Sequence, residues 1–219
     1  MKTYLDNICP LCDKIQSQPY FSDKKRDYLL CHHCYLVYVE EKFHISAIDE
    51  KKQYDFHTNN PYDQAYRQFL SRLFMPLKHQ LKPGSKGLDF GSGPGPTLSI
   101  MFQEAGFDMQ IYDLYYADNK DVFNSQYDFI SATEVIEHIK NPAQEIKRLL
   151  SIIKPDGVLG LMTKLVIDRE SFKNWHYKND ITHICFYSKK TFMWIANKYQ
   201  LSVSFIDSDV IILKKSANG

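Results

Sequence analysis

The sequence predicts an α/β fold preceded by a small cysteine-rich unit. Two observations support this prediction. The stretch 86–96, KGLDFGSGPGP, combines a short apolar strand, a glycine turn and the start of a helix, which continues with apolar residues at helical spacing. Four of the five cysteines lie near the N-terminus, between Cys9 and Cys34, in two C-x-x-C pairs. We therefore expect a parallel sheet with helices on its faces and a metal- or disulfide-bonded N-terminal end.

Bulk composition argues against several classes of protein. The 219 residues are 44% hydrophobic and 24% charged, as in a globular domain with a small appendage. A nucleic-acid-binding protein usually carries a basic excess, whereas the net charge here is +1. No apolar run is long enough to span a bilayer, and the start of the chain lacks the apolar core of a signal peptide. We expect no membrane contact and a cytoplasmic location.

The N-terminal cysteines have the spacing of a structural zinc site. The interval between the two pairs, from Cys12 to Cys31, falls within the range typical of zinc ribbons. Four thiolates complete a closed tetrahedral site, which is structural rather than catalytic. The predicted ligands are Cys9, Cys12, Cys31 and Cys34. Disulfides are the alternative, and His32 or His33 could replace one thiolate. Strands are expected near residues 20–21, 28–30 and 35–39, within a ribbon spanning 1–40.

The glycine-rich turn predicts a ligand-binding loop. Gly91, Gly93 and Gly95 can adopt positive φ angles and let a ligand approach the backbone. The helix that follows offers unpaired N–H groups, and Pro96 suits its first turn. The spacing is G-x-G-x-G, so it differs from the dinucleotide fingerprint, which would require glycine at position 96. Asp89 ends the preceding strand.

Residues 40–62 give weak signals. The segment 40–52 is charged and lacks a period, which predicts a linker. A helix begins near Tyr62, with apolar residues at steps of three and four through Leu77, and Pro83-Gly84 ends it. The tetrapeptide at 59–62, Asn-Asn-Pro-Tyr, is similar to the acceptor-binding signature of amino-group methyltransferases, but it precedes the first strand of the sheet instead of following the fourth.

A second strand is predicted at 109–113, and it ends in an acid. Asp113 follows Gly91 at close to the interval at which α/β folds that bind nucleosides place a carboxylate for the ribose hydroxyls. Only residues 114–126 separate this strand from the next one, at 127–131. That interval has room for one short element near Val122, so a further strand is not expected there.

Three segments together resemble the class I S-adenosylmethionine-dependent methyltransferases. They are the G-x-G-x-G loop after Leu-Asp-Phe, the E-V-I-E-H segment at 134–138 and the turn at 154–157. The resemblance implies a seven-stranded Rossmann-like sheet, here with a shortened third-strand region, over 83–219. It implies S-adenosylmethionine as cofactor, with the glycine loop ordered by Asp89 and holding the methionine part. Thr133 and Glu134 would lie beside that methionine end, with His138 nearby.

Residues 41–82 are expected to provide a linker and a helix that covers the cofactor. An acid for the adenine is harder to place because the third-strand region is short. Asp118 and Asp121 are weak candidates.

The block 172–183, FKNWHYKNDITH, follows the fifth strand at the edge where open α/β sheets bind ligands. Its aromatic and ionisable residues suit an acceptor pocket, although they could instead cover the sheet edge. His176 or His183 could act as a general base, and Asp180 could orient His183. Beyond this block, Ser188 is expected to cap a helix, and two final strands are expected near 203–206 and 210–213.

The acceptor is expected to be a small molecule, because the charge balance does not support nucleic acid. Two alternatives remain open. The ribbon could recruit an RNA or protein substrate, or the protein could be a non-catalytic scaffold that binds S-adenosylmethionine. The sequence gives no indication of oligomeric state.

Overall fold

The computed structural model describes residues 8–56 and 59–216. Two sheets organise this part of the chain, a mixed sheet of six strands and an antiparallel sheet of four. The larger sheet is the expected α/β core, and the smaller one adjoins the cysteine pairs.

The smaller, ribbon sheet comprises β1 (Ser17–Ser22), β2 (Asp27–Cys31), β3 (Val37–Val39) and β8 (Cys185–Phe186), in that order. The first three strands confirm the expected ribbon. The fourth was not predicted: β8 pairs antiparallel with β3 and comes from the segment just after the 172–183 block. The ribbon is therefore continuous with the loops of the larger domain.

The strands of the larger sheet span Lys86–Phe90 (β4), Asp108–Tyr112 (β5), Tyr127–Thr133 (β6), Ile153–Met162 (β7), Leu201–Ile206 (β9) and Val210–Lys215 (β10). Their order is β5-β4-β6-β7-β10-β9. The pairings from β5 to β7 are parallel, and β10 and β9 complete the sheet in antiparallel orientation. A 3-10 turn, Lys120–Asn124, fills the interval between β5 and β6, so the expected shortening of the third-strand region is confirmed.

Six α-helices accompany the strands of the described residues. They span Ala47–Tyr54 (α1), Gln64–Lys78 (α2), Thr97–Glu104 (α3), Pro142–Ser151 (α4), Arg169–Lys173 (α5) and Lys189–Lys198 (α6). Ser188 caps α6, as expected. Pro96 is the N-cap of α3, one position before the predicted first turn.

The prediction of a linker at 40–52 was wrong. Helix α1 occupies its second half, and the Ser46 side chain caps it by accepting the amide of Asp49. No residue of α1 is buried, so the segment has no apolar stripe to produce a helical period. A polar helix of this length depends on its cap and on its contacts with the rest of the protein.

Helices α2 and α3 cover one face of the larger sheet. The ring of Phe102 lies 4.8 Å from those of Phe74 and Phe129, measured between centroids, and Phe102 is fully buried. Gly160 on β7 lets α2 approach, since a Cβ atom there would lie 2.8 Å from Leu77. This packing fixes the sheet edge where the glycine loop emerges.

Arg26 joins the ribbon to the 172–183 block. The residue is 4% exposed, and its guanidinium donates to the carbonyl oxygens of four residues, at 2.8 Å in the case of His183. The four acceptors are Lys178, Asp180, Ile181 and His183. Its Nε atom donates to the hydroxyl of Tyr28 at 3.1 Å. Because guanidinium presents donors in a rigid fork, one side chain holds the whole turn 178–183.

Replacing Arg26 with alanine is expected to lower the free energy of unfolding by at least about 3 kcal/mol, because buried carbonyls would lose charged donors. Arg169 provides a matched control. Its Nε donates to the carbonyl of Tyr20 at 2.7 Å across the same junction, but in an exposed position. Arg169→Ala should cost less than about 1 kcal/mol. Urea denaturation measures both, and equal losses would contradict the assigned role of Arg26.

Candidate active site

A cleft of about 850 Å³ lies at the carboxyl ends of β4, β5 and β6. Its lining includes the glycine loop, the start of α3, parts of α1 and α2 and the 176–183 segment. This is the edge at which open α/β sheets bind ligands. All the cofactor-binding and catalytic candidates predicted from the sequence line it: Asp89, Gly91, Gly93, Gly95, Asp113, Thr133, Glu134, His176, Asp180 and His183.

The glycine loop is shaped by positive φ angles and by its neighbours. Gly91 has a φ of 74° and Gly93 a φ of 64°. The amide of Gly91 donates to the Tyr112 carbonyl at 2.7 Å, which joins the loop to the end of β5. At Gly95, a Cβ atom would lie 2.0 Å from the carbonyl oxygen of Asn59, so only glycine fits.

Asp113 lies beside this loop and helps to order it. One carboxylate oxygen accepts the Gly93 amide at 2.9 Å, and the other accepts the amides of Tyr115 and Tyr116 at 2.8 and 3.1 Å. Each carboxylate oxygen has further lone pairs. The expected contact with ribose hydroxyls therefore stays a prediction that this geometry permits.

Asp89 is buried at the end of β4, where Ser131 Oγ donates to it at 2.9 Å. Burial raises the pKa of its carboxyl to about 6, although the bonds from Ser131 and from the Ser99 backbone oppose that rise. The side chain thus links the start of α3 to β6 beneath the loop.

Two hydroxyl groups in the cleft wall, Ser92 Oγ and Thr133 Oγ1, are buried and have no hydrogen-bond partner among the residues that the structure describes. Buried hydroxyls are normally paired, so these two are suited to a polar ligand. The sequence predicted Thr133 and missed Ser92, whose position between two loop glycines was the available signal. Glu134 follows with a φ of 52°, a strained conformation that is frequent at functional sites.

Helix α1 forms one wall of the cleft. Tyr115 donates to Glu50 at 3.0 Å, and Tyr116 donates to Asp55 at 2.7 Å. Tyr54 also donates to Glu50, at 2.9 Å. The segment predicted as a linker is therefore attached through tyrosine–carboxylate bonds to the turn that follows Asp113.

The far end of the cleft contains a network around Tyr177. Its hydroxyl donates to Glu137 Oε1 and lies 3.1 Å from Thr163 Oγ1, in a buried setting. Burial raises the pKa values of Glu137 and Glu134 above the usual carboxyl range. Neither Tyr177 nor Glu137 was predicted as a site residue from the sequence. The available indications were the position of Tyr177 in the aromatic block 172–183 and that of Glu137 as the second acid of E-V-I-E-H.

The three predicted catalytic residues are arranged differently from expectation. The carbonyl of Tyr177 accepts His183 Nδ1 at 2.7 Å, so it orients the ring. The sequence hypothesis was that Asp180 orients this ring. Its carboxylate instead lies 3.8 Å from the other nitrogen, Nε2, which is beyond hydrogen-bond distance. His176 is exposed, and its Nε2 accepts a bond from the Lys164 ammonium at 2.9 Å. Burial lowers the pKa of His183.

Asn59 lies against the glycine loop, whereas the two acids considered for the adenine lie outside the lining of the cleft. Asn59 packs against Gly95, and its carbonyl accepts the Thr97 hydroxyl at 3.2 Å. The tetrapeptide at 59–62 thus begins with a residue that supports the glycine loop. Asp118 and Asp121, the weak candidates for an adenine-binding acid, lie outside the lining of the cleft.

The four predicted zinc ligands converge at the base of the ribbon. All four are buried, and their sulfur atoms lie within 4.8 Å of one another. The Cys9–Cys34 and Cys12–Cys31 sulfur separations are 3.4 and 3.5 Å, well beyond a disulfide bond of about 2.05 Å. Sulfurs around a tetrahedral zinc ion lie about 3.8 Å apart, so the cluster fits zinc with little movement. His32 and His33 lie outside the cluster and are exposed.

Residues 57–204 match the sequence model of a family described as a methyltransferase domain. This match covers more than half of the chain. The chain belongs to this methyltransferase family.

Two relatives are named ubiquinone biosynthesis O-methyltransferase. The protein from Erwinia tasmaniensis is 27% identical over 89 residues, which cover 41% of this chain and 35% of that protein. The protein from Shewanella pealeana is 27% identical over 35% of this chain and 33% of its own length. The chain therefore matches about a third of each relative.

Solved methyltransferase structures share the fold. The 1,6-didemethyltoxoflavin-N1-methyltransferase of Burkholderia thailandensis, with bound S-adenosylhomocysteine, aligns with a TM-score of 0.53 at 11% identity. The alignment covers 91% of this chain and 99% of that one. The plantazolicin methyltransferase BpumL aligns with a TM-score of 0.52 at 16% identity, over 78% and 91% of the two chains. Within residues 8–56 and 59–216, no helix of this methyltransferase is long and apolar enough to cross a bilayer.

The cysteine cluster predicts a thiolate-bound zinc ion. Cys31→Ser should lower the zinc content by one equivalent per chain relative to the wild type, because a closed site needs all four thiolates. Cys185 is the matched control: it is also buried, but its sulfur donates to the Ile139 carbonyl, away from the cluster. Cys185→Ser should retain the ion. X-ray absorption that shows no zinc–sulfur distance near about 2.3 Å in the wild type would contradict this prediction.

Asp89 should make stability depend on pH. At low pH its carboxyl is protonated in both the folded and the unfolded state, whereas near neutral pH the folded protein holds a buried charge. Raising the pH from 4 to 7 should therefore lower the wild-type free energy of unfolding by about 2 kcal/mol through this group. Asp89→Asn removes that contribution. Denaturation of both proteins between pH 4 and 8 measures the difference, and a difference independent of pH would contradict the assignment.

Proposed function

We propose that this methyltransferase moves a methyl group from S-adenosylmethionine to a small-molecule acceptor. The observation that carries the proposal is the cleft, whose lining combines the glycine loop, Asp113 and the unpartnered hydroxyls of Ser92 and Thr133 within the described part of the chain. Loop amides and a carboxylate suit the polar ends of the cofactor. A ligand there would supply the partners that the two hydroxyls lack.

The cofactor, when bound, supplies a methyl group made electrophilic by the adjoining sulfonium. The residues of the chain then have two tasks. Asp89, Asp113 and Glu134 place acidic groups along the cleft, which favours a cationic ligand. The glycine loop and the wall formed by α1 fix the position of that ligand, since alignment of the two reactants provides most of the rate enhancement in such a displacement.

The acceptor end consists of Tyr177, His183 and Glu134. His183 donates from Nδ1 to a backbone carbonyl, so in the neutral ring Nε2 carries a lone pair. That atom is suited to receive a proton or to bind a polar group. Residue 183 belongs to the turn held by Arg26, so its position depends on the ribbon.

Three observations favour a small acceptor. The relatives' names refer to O-methylation in ubiquinone biosynthesis. The net charge of +1 lacks the basic excess that is usual in nucleic-acid-binding proteins. The ribbon also uses β3 and Arg26 to hold the larger domain, which favours a structural role over recruitment of a macromolecule. We propose that the ribbon, predicted for residues 1–40, forms a supporting unit and that the methyltransferase core spans 83–219; residues 1–7 and 217–219 of these ranges lie outside the described residues.

Cofactor binding can be tested at two glycines that both have positive φ. Gly93→Ala should weaken binding of S-adenosylhomocysteine by at least tenfold, about 1.4 kcal/mol, because the loop must shift. Gly106→Ala is the control: Gly106 has a φ of 88°, open space around it and a position outside the cleft. It should lose stability and retain affinity. Calorimetric titration measures both, and a wild type that binds no S-adenosylhomocysteine would refute the proposal.

Transfer itself can be followed with methyl-labelled cofactor and fractionated cell extract. The label should appear in the small-molecule fraction and not in RNA or protein. Binding that weakens steeply as salt is added would instead favour a nucleic-acid substrate. Cofactor binding without transfer to any fraction would favour the non-catalytic scaffold.

A further inference from the structure

We propose that the acceptor end of the cleft holds a second metal site, in which Glu137, His138 and His183 bind a divalent transition-metal ion. The inference deepens the proposed function and rests on it for the role of the ion. The three side chains offer two imidazole nitrogens and a carboxylate oxygen within 4.8 Å of one another. They are separate from the cysteine cluster and of a different chemical character.

The orientation of both histidines is typical of metal ligands. His138 Nδ1 lies 3.2 Å from the carbonyl of Thr182, and His183 Nδ1 lies 2.7 Å from that of Tyr177. Because a carbonyl can only accept, each Nδ1 carries the proton and each neutral ring has its lone pair on Nε2. Histidines that bind metal almost always donate their other nitrogen in this way, which fixes the tautomer.

The carboxylate supplies an independent observation. Glu137 is completely buried, and its Oε2 atom has no hydrogen-bond partner within residues 8–56 and 59–216. Its other oxygen accepts the hydroxyl of Tyr177 and lies 4.0 Å from His138 Nε2. A buried carboxylate is costly unless it is paired or binds a metal. A cation between these atoms would stabilise the ionised form of Glu137, which burial alone disfavours.

The distances suit an open form of such a site. The two imidazole rings lie 4.6 Å apart between centroids, at an interplanar angle of 67°. Ligand atoms around a tetrahedral zinc ion are about 3.4 Å apart, so movements of about 1 Å would close the set. Asp180 Oδ2 lies 3.8 Å from His183 Nε2 and could add a fourth ligand.

The donor set indicates the class of metal. Two histidines and one carboxylate form catalytic zinc sites and non-haem iron(II) sites, whereas magnesium and calcium prefer oxygen alone. His138 and His183 line the cleft, so an ion there would have coordination positions open to the acceptor. A bound divalent ion makes a coordinated hydroxyl group more acidic. The acceptor class is therefore one with a hydroxyl oxygen at the reacting position.

Cobalt(II) titration of the full chain, with zinc already in the ribbon, tests the site. Zinc binds more tightly than cobalt, so the ribbon should keep its ion. The wild type should bind one cobalt ion per chain. His138→Ala and Glu137→Gln should each weaken binding by at least about tenfold. Glutamine keeps an oxygen for Tyr177, which preserves the fold. His176→Ala, which removes an exposed histidine of the same cleft, should bind cobalt like the wild type.

S-adenosylhomocysteine binding by the same samples separates this inference from the proposed function. A wild type that binds S-adenosylhomocysteine but no cobalt would overturn the metal site alone. Cobalt binding that survives both His138→Ala and Glu137→Gln would overturn it as well. A wild type that binds cobalt through these residues but no S-adenosylhomocysteine would overturn the proposed function and leave the metal site standing.

Discussion

The buried guanidinium of Arg26 is the contact on which the arrangement of the cleft depends. Arg26 lies in the turn between β1 and β2 of the ribbon. Its guanidinium donates to four carbonyl oxygens in the segment 178–183, which includes Asp180 and His183. A permanent charge in a buried position is stabilised only if its donors are satisfied, and here backbone carbonyls and a tyrosine hydroxyl satisfy them. The same bonds fix the backbone from which His183 reaches the cleft.

This arrangement gives the two ends of the cleft different supports. The proposed cofactor end depends on local structure, because Asp89 lies on β4 and the glycine loop and Asp113 follow the ends of the neighbouring parallel strands β4 and β5. The proposed acceptor end depends on a distant part of the chain, since the ribbon, through Arg26 and β3, holds the segment after β7. The ribbon therefore contacts the segment that carries Asp180 and His183.

The sequence predicted what local patterns encode. Three features could be predicted because each depends on the spacing of residues within one short stretch of sequence. They are the strand, loop and helix around Gly91, the two cysteine pairs and the shortened interval before β6. Helix α1 was not predicted, because it buries no side chain and its sequence therefore shows no helical period of apolar residues. The sequence did not predict strand β8 or the carbonyl partners of Arg26. Both depend on contacts between residues far apart in the chain. The orientation of His183 by a carbonyl, in place of Asp180, likewise follows from the fold and not from spacing.

The pairing of β3 with β8 also constrains the order in which the protein can assemble during synthesis. The ribbon strands leave the ribosome well before Cys185 and Phe186 are made, so the free edge of β3 stays open for most of translation. Over the same period Arg26 has none of its four carbonyl acceptors, which all belong to residues 178–183. Early zinc binding would hold the nascent ribbon in shape until the rest of the chain arrives.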